Sequence, residues 1–201
     1  MLVLSPHTDD GELGAGGLLS QTTQKIKFVT FSTVKESIPN GLPKDTLKVE
    51  CKLSMMHLGI TDYDILDYPV RRFDEHRQDI LEQLIVYKKS YKPDMVLVPC
   101  RNDQHQDHQI ITSEAIRAFK TSACILGYEE PWSVLGDNLN FFTKLTAKDI
   151  DHKWDALSQY KSQIGLRQYF TRDFMFGLAT MRGVQCNTKY AEAFEVIRWQ
   201  Q

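Results

Sequence analysis

No cysteine in this sequence has another within three positions; Cys51, Cys100, Cys124 and Cys186 stand far apart. That excludes both a thiolate zinc site built on CxxC and the disulfide framework of a small secreted domain. Reduced, mostly buried thiols of a cytoplasmic protein are the expectation. No apolar run approaches the roughly 20 residues that a membrane-spanning helix needs. The opening stretch MLVLSPHTDD reaches two carboxylates by residue 10, which argues against a signal peptide. Charge of one sign is also missing. Lys plus Arg number 24 against 26 Asp plus Glu, a formal charge of −2, so there is no bulk electrostatic grip on nucleic acid or an anionic membrane. Repeats, low-complexity tracts and linkers are absent. What remains is a chain of 201 residues, enough to bury roughly 70% of its unfolded surface around one core. We read it as one domain over 1–201.

Five short apolar runs stand at 2–5, 26–32, 63–68, 95–99 and 123–128. They are hydrophobic at consecutive rather than alternating positions, as strands covered on both faces require. Helical patterns lie between them. One covers 48–58 and ends at Gly59; another covers 74–91, with Ile80, Leu84, Tyr87 and Tyr91 at helical spacing and Asp74 as N-cap. Thr146 and Asp149 form a capping box that opens a third helix, reaching to about 160. This alternation predicts an α/β fold, a Rossmann-like three-layer sandwich around a mostly parallel sheet. Right-handed crossovers give the strand order 3-2-1-4-5, in which the first and fourth strands are neighbours. Ligands in such sheets sit outside the carboxyl ends of the strands where the chain reverses its direction of progress. Whatever follows 2–5 and 95–99 should therefore line one crevice.

Those two segments are SPHTDDGE (5–12) and RNDQHQDH (101–108), and they hold three of the six histidines. Imidazole with carboxylate and no thiolate suits zinc or another borderline divalent ion. His7 and Asp10 are three apart, so a single helical turn places both on one face. One further ligand from the second segment would leave a coordination position for water, the pattern of a catalytic site. Taken singly, Asp9 and Asp10 read equally well as helix caps, and His105 and His108 as solvated loop residues. Two such clusters at strand ends expected to meet favour a metal. Gly11, Gly14, Gly16 and Gly17 match neither GxGxxG nor a P-loop; they read as small residues that let a helix start close to the sheet. His57, His76 and His152 lie in helical segments without a carboxylate cluster and read as structural or surface residues.

HTDDGE followed by glycines, with HQDH further on, resembles the LmbE-like (PIG-L) family of zinc-dependent N-deacetylases. The similarity extends over most of the chain, through Leu58 and Gly59, KPD at 92–94, and the segments 156–163 and 190–194. The resemblance implies a Rossmann-like fold and hydrolysis of N-acetyl groups on amino sugars and their conjugates. It implies His7, Asp10 and His108 as ligands of one Zn2+ per chain, with other divalent ions open. It implies Asp9 as general base, His105 as the histidine near the substrate carbonyl, and Asp107 as the carboxylate supporting His105. Thr8 stands where the family usually has Pro, and Leu47 where it often has a substrate-contacting Arg. That positioning role is therefore assigned to Arg71 and Arg72.

The expected reaction uses zinc-activated water. Asp9 takes its proton and later returns it to the leaving amine, while a protonated His105 steadies the oxyanion. Two other readings stay open. One is a metallo-β-lactamase-like hydrolase, because HQDH echoes the end of HxHxDH; the other is a non-catalytic sugar- or nucleotide-binding module on the same fold. The expected partner is a small N-acetylated sugar or glycoconjugate, with no nucleic acid and no membrane span, and self-association is left open.

Overall fold

Each of the five apolar runs forms a strand: β1 (Leu2–Ser5), β2 (Lys27–Thr30), β3 (Tyr63–Ile65), β4 (Met95–Pro99) and β5 (Cys124–Tyr128). In the computed structural model, which describes residues 1–136 and 138–200, they pair in parallel in the order 3-2-1-4-5. Among the described residues, six α-helices flank them: α1 (Asp10–Gln21), α2 (Thr46–His57), α3 (Arg77–Ser90), α4 (Gln106–Phe119), α5 (Ala147–Leu157) and α6 (Arg172–Gln185). The consecutive apolar positions are explained by two cores. Leu2, Leu4, Val96, Val98 and Ile125 pack against Ile80 and Leu84 of α3 and Ile111 and Phe119 of α4. Val3, Leu97 and Leu126 point the other way, onto Ala15 and Leu19 of α1 and Met55 of α2.

Glycine lets α1 lie this close to the sheet. A Cβ on Gly14 would fall 2.2 Å from the ring of Tyr128, and one on Gly11 would fall 2.6 Å from Phe28. The capping box at Thr146 and Asp149 is formed, and Gly59 takes the positive φ that ends α2.

The sheet is larger than five strands. β6 (Phe141–Leu145) and β7 (Tyr190–Arg198) continue it antiparallel beyond β5, giving 3-2-1-4-5-7-6. The charged residues of β7 hid it from a hydrophobicity reading, because Glu192 and Glu195 are buried against Lys153 and Arg101. Asp74 is not an N-cap. Residues 69–76 form successive turns, and His76 precedes the first residue of α3.

Candidate metal centre and active site

At the carboxyl end of β1 the chain turns sharply into α1. Ser5 Oγ accepts the Gly11 N–H at 2.9 Å and donates to the His7 carbonyl at 2.6 Å. The His7 N–H donates to Asp10 Oδ2 at 2.8 Å. Tyr160, beyond α5, sets its hydroxyl against the Thr8 carbonyl and Glu12 Oε1. Asp9 occupies the N-cap position of α1 but makes no capping bond with its side chain. It lines the cleft instead, so capping does not explain it.

The neighbouring strand β4 delivers the second segment. His105 is the N-cap of α4, its Nδ1 accepting the Asp107 N–H at 3.2 Å. The first turn of α4 then presents His108 to the β1 turn. His7 Nδ1 and Asp10 Oδ2 lie 3.0 Å apart, His108 Nε2 and Asp10 Oδ2 3.1 Å, and His108 Nε2 and His7 Nδ1 3.3 Å. Ligand atoms at zinc distances and tetrahedral angles are separated by about 3.3 Å. The outer nitrogen of each ring rests on a carboxylate: His7 Nε2 on Asp107 Oδ2 at 3.0 Å, and His108 Nδ1 on Asp103 Oδ2 at 2.8 Å. Metal-binding imidazoles are oriented by this pairing. When the rings are neutral, an outer N–H donated to each carboxylate leaves a lone pair on each inner nitrogen, beside the Asp10 oxygen. Three buried acceptors so placed suit a cation between them.

The electrostatics favour positive charge at the same point. Burial opposes charge on His7, but Asp10 and Asp107 outweigh it and hold its pKa up at about 9. His108 is likewise raised, burial being overcome by Asp10 and Glu130. Burial works the other way on Asp10, yet His108 and His7 keep its carboxyl well below the usual range. The donor set therefore fits a divalent ion, and overlapping groups of His7, His105, His108, Asp10 and Glu130 could hold one.

Around the triangle opens a cleft of about 330 Å³, whose lining includes Asp9, Arg71, His105, Trp132, Arg167 and Tyr169. Burial and the neighbouring Asp10 push the Asp9 pKa up to about 7. Burial, His108 and His7 push His105 down to about 4.

Three expectations change. Burial and the neighbouring rings favour the neutral form of His105 over the protonated one, and because its Nδ1 accepts a backbone N–H, the nitrogen left to donate is Nε2. The Asp107 carboxylate backs His7, not His105, and it also accepts the Arg71 N–H at 2.7 Å. Arg72 is not in the cleft lining, and its guanidinium is spent on Glu75 at 2.6 Å.

Sequence reasoning missed Asp103 and Glu130. Asp103 stands five residues before His108 in the segment already singled out. Glu130 follows the carboxyl end of β5, one strand beyond the pair that the crevice rule picks out. It is fully buried, its Oε2 lies 3.5 Å from His108 Nδ1, and neither oxygen has a hydrogen-bond partner among the described residues. His57 and His152 lie on exposed helix surface and His76 before α3, none of them in the cleft.

The family model described as PIG-L, GlcNAc-PI de-N-acetylase, matches residues 2–119, the part that carries both segments of the triangle. The chain belongs to the PIG-L family. It is 25% identical over 170 residues to the uncharacterized deacetylase YaiS of Escherichia coli K12, covering 81% of this chain and 90% of YaiS. Among solved structures it resembles N,N'-diacetylchitobiose deacetylase from Pyrococcus horikoshii, with a TM-score of 0.81 at 18% identity, covering 98% of this chain and 82% of that one. It is similar as well to GalB, the 4-carboxy-2-hydroxymuconate hydratase of Pseudomonas putida KT2440, with a TM-score of 0.79 at 18% identity and coverage of 100% and 96%. Membership of the PIG-L family places the chain among deacetylases, and the two structural likenesses speak to its fold.

Proposed function

We propose that this chain removes an N-acetyl group from an amino sugar or its conjugate, as a single cytoplasmic domain with one zinc ion held by His7, Asp10 and His108. The observation that carries the reading is the triangle of inner donor atoms at 3.0, 3.1 and 3.3 Å. When bound, such an ion polarises an acyl oxygen and lowers the pKa of water to about 7. The chain's own groups supply the rest. Asp9, free of capping duty beside Asp10, accepts the proton of the attacking water and returns it to the departing nitrogen. His105 donates its Nε2–H to the carbonyl oxygen as negative charge develops there. Asp107 and Asp103 hold the two histidine rings with their inner nitrogens toward Asp10. Arg71, on the cleft wall, meets the far part of the substrate.

The competing readings are not favoured. HxHxDH needs its first histidine where Asp103 stands, and Asp103 is occupied behind His108. A binding module has no use for a free carboxylate beside a buried cation site.

The test is zinc content of the purified chain together with primary-amine release from a panel of N-acetylated sugars. About one zinc per chain and amine from at least one sugar are expected. A zinc-loaded chain that releases amine from none of them would return the binding module.

A further inference from the structure

The cleft wall carries positive charge that no other group among the described residues pairs with. Arg72, Arg77, Arg101, Arg117, Arg172 and Arg182 each pair with a carboxylate. Arg71 and Arg167 make no side-chain ion pair or hydrogen bond among the described residues, and both line the cleft. Both residues are exposed, whereas His7, Asp10 and His108 are buried.

The main chain at Arg71 is held in an uncommon form. It has a φ of 65°, a conformation that L residues other than Asn and Asp seldom adopt and that Val34 of the same cleft shares, as do Lys92 and Asn187 outside it. The Arg71 N–H donates to Asp107 Oδ2 at 2.7 Å, and its carbonyl accepts from Gln106 Nε2 at 2.7 Å. Asp107 is the carboxylate that orients His7. Such backbone conformations persist where the surroundings over-determine them, and they cluster at ligand sites. The same cleft contains a planar wall. The rings of Trp132 and Tyr169 stack 3.7 Å apart at 8°, with Trp132 still 37% exposed.

We propose that the site takes N-acyl sugars bearing an anionic substituent, phosphate or carboxylate. Arg71 and Arg167 receive the anion, and the Trp132–Tyr169 pair flanks the sugar ring. A guanidinium fork matches either anion with two parallel hydrogen bonds, which a hydroxyl cannot reproduce. An aromatic face covers apolar ring carbons while leaving hydroxyls to the solvent. A cleft of about 330 Å³ accommodates one sugar with a small substituent. The proposal rests on the deacetylase reading only for the acyl end of the substrate.

The experiment compares the zinc-loaded chain on N-acetylglucosamine, N-acetylglucosamine 1-phosphate and N-acetylmuramic acid, with R71A and R167A alongside. At least one charged sugar should exceed the neutral one in kcat/KM by about tenfold or more, the scale of one charge-assisted contact. The phosphate and carboxylate arms identify which anion is preferred. In each variant the ratio of charged to neutral substrate should fall to within about threefold, and added salt should shrink it in the wild type. Equal rates on all three sugars, or variants that keep the wild-type ratio, overturn the proposal. If no sugar is hydrolysed, calorimetry with glucosamine 1-phosphate and with glucosamine reads the anion site alone. Tighter binding of the phosphate, lost in R167A, then sustains the anion site while the deacetylase reading falls; equal binding sinks both.

Discussion

Asp9 and Asp10 are adjacent and chemically identical, and only direction separates their tasks. Asp10 Oδ2 is locked by the His7 N–H and faces both rings, whereas Asp9 has no capping bond and opens onto the cleft. Asn keeps the size but removes the charge that metal binding and proton acceptance both use. Asp10→Asn should lower zinc affinity, with part of the activity restored by excess metal. Asp9→Asn should keep about one zinc per chain and lose roughly 10²–10⁴-fold in kcat, with no rescue by metal. Shedding of zinc by Asp9→Asn instead would reverse the two roles. One shell further out, Asp103→Asn and Asp107→Asn should each weaken zinc binding by about 10–100-fold, measured by chelator competition. Wild-type affinity in both would mean that the rings need no outer anchor. The convergence of His7, Asp10 and His108 was partly legible in the sequence, because the three proposed ligands lie in two short segments at adjoining strand ends; the spacing paired His7 with Asp10, and the resemblance picked His108. The supports were not, because only coordinates tell which ring nitrogen faces inward. That is why Asp107 was set behind the wrong histidine and Asp103 was given no role.

Helix α1 shows how an element is tuned to position such residues. Gly14 faces the ring of Tyr128, which is fully buried and fixed by its hydroxyl on the Leu4 carbonyl at 3.0 Å. Alanine there gains up to about 1 kcal/mol in helix propensity. Against that, a Cβ 2.2 Å from a ring that cannot retreat is overpacking, which costs about 1–3 kcal/mol. The clash should win, so Gly14→Ala should lower the unfolding midpoint. Gly177 in α6 is the opposite case: it is exposed, with nothing within 4 Å of an added Cβ. Gly177→Ala should raise the midpoint, by about 2–4 °C for each kcal/mol gained in a chain of this size. The two changes are the same chemically, so thermal unfolding that gives them one sign would show that packing does not decide. At this scale, the strands buried on both faces were legible because continuous apolar runs admit few other environments. Helix ends marked by side-chain chemistry, Thr146 and Gly59, were legible as well. β7 was not, since a strand carrying Glu192 and Glu195 in its buried stretch reads as surface until its cations are known. The start of α3 was misplaced because turns at 69–76 mimic the helical spacing that follows them.

For the whole molecule, the family match ends at residue 119, yet the helix bearing Asp10 is clamped by what comes after. Lys153 of α5 reaches Glu192 of β7 at 2.7 Å and the Leu13 carbonyl of α1 at 2.5 Å. Glu192 in turn accepts the Gly17 and Leu18 N–H groups at 2.8 and 2.7 Å. Both side chains are buried, so the ion pair joins three elements where water cannot substitute for either partner. Lys153→Met leaves the Glu192 carboxylate in place without its cation, and breaking a buried pair on one side costs about 3–5 kcal/mol. Replacing both partners with apolar residues should recover part of that loss, so K153M/E192M should be more stable than K153M. The metal triangle does not share this dependence. Its turn is fixed by Ser5 from within the segment and by Tyr160 from beyond α5, neither through Lys153 or Glu192, and its rings by Asp103 and Asp107. Added zinc should therefore stabilise K153M by the same free energy as the wild type at equal metal concentration, since that increment depends only on the zinc affinity of the folded state. Denaturant unfolding of the three proteins, with and without zinc, gives both quantities. A K153M protein of wild-type stability, or one that has lost its response to zinc, would contradict this division between clamp and centre.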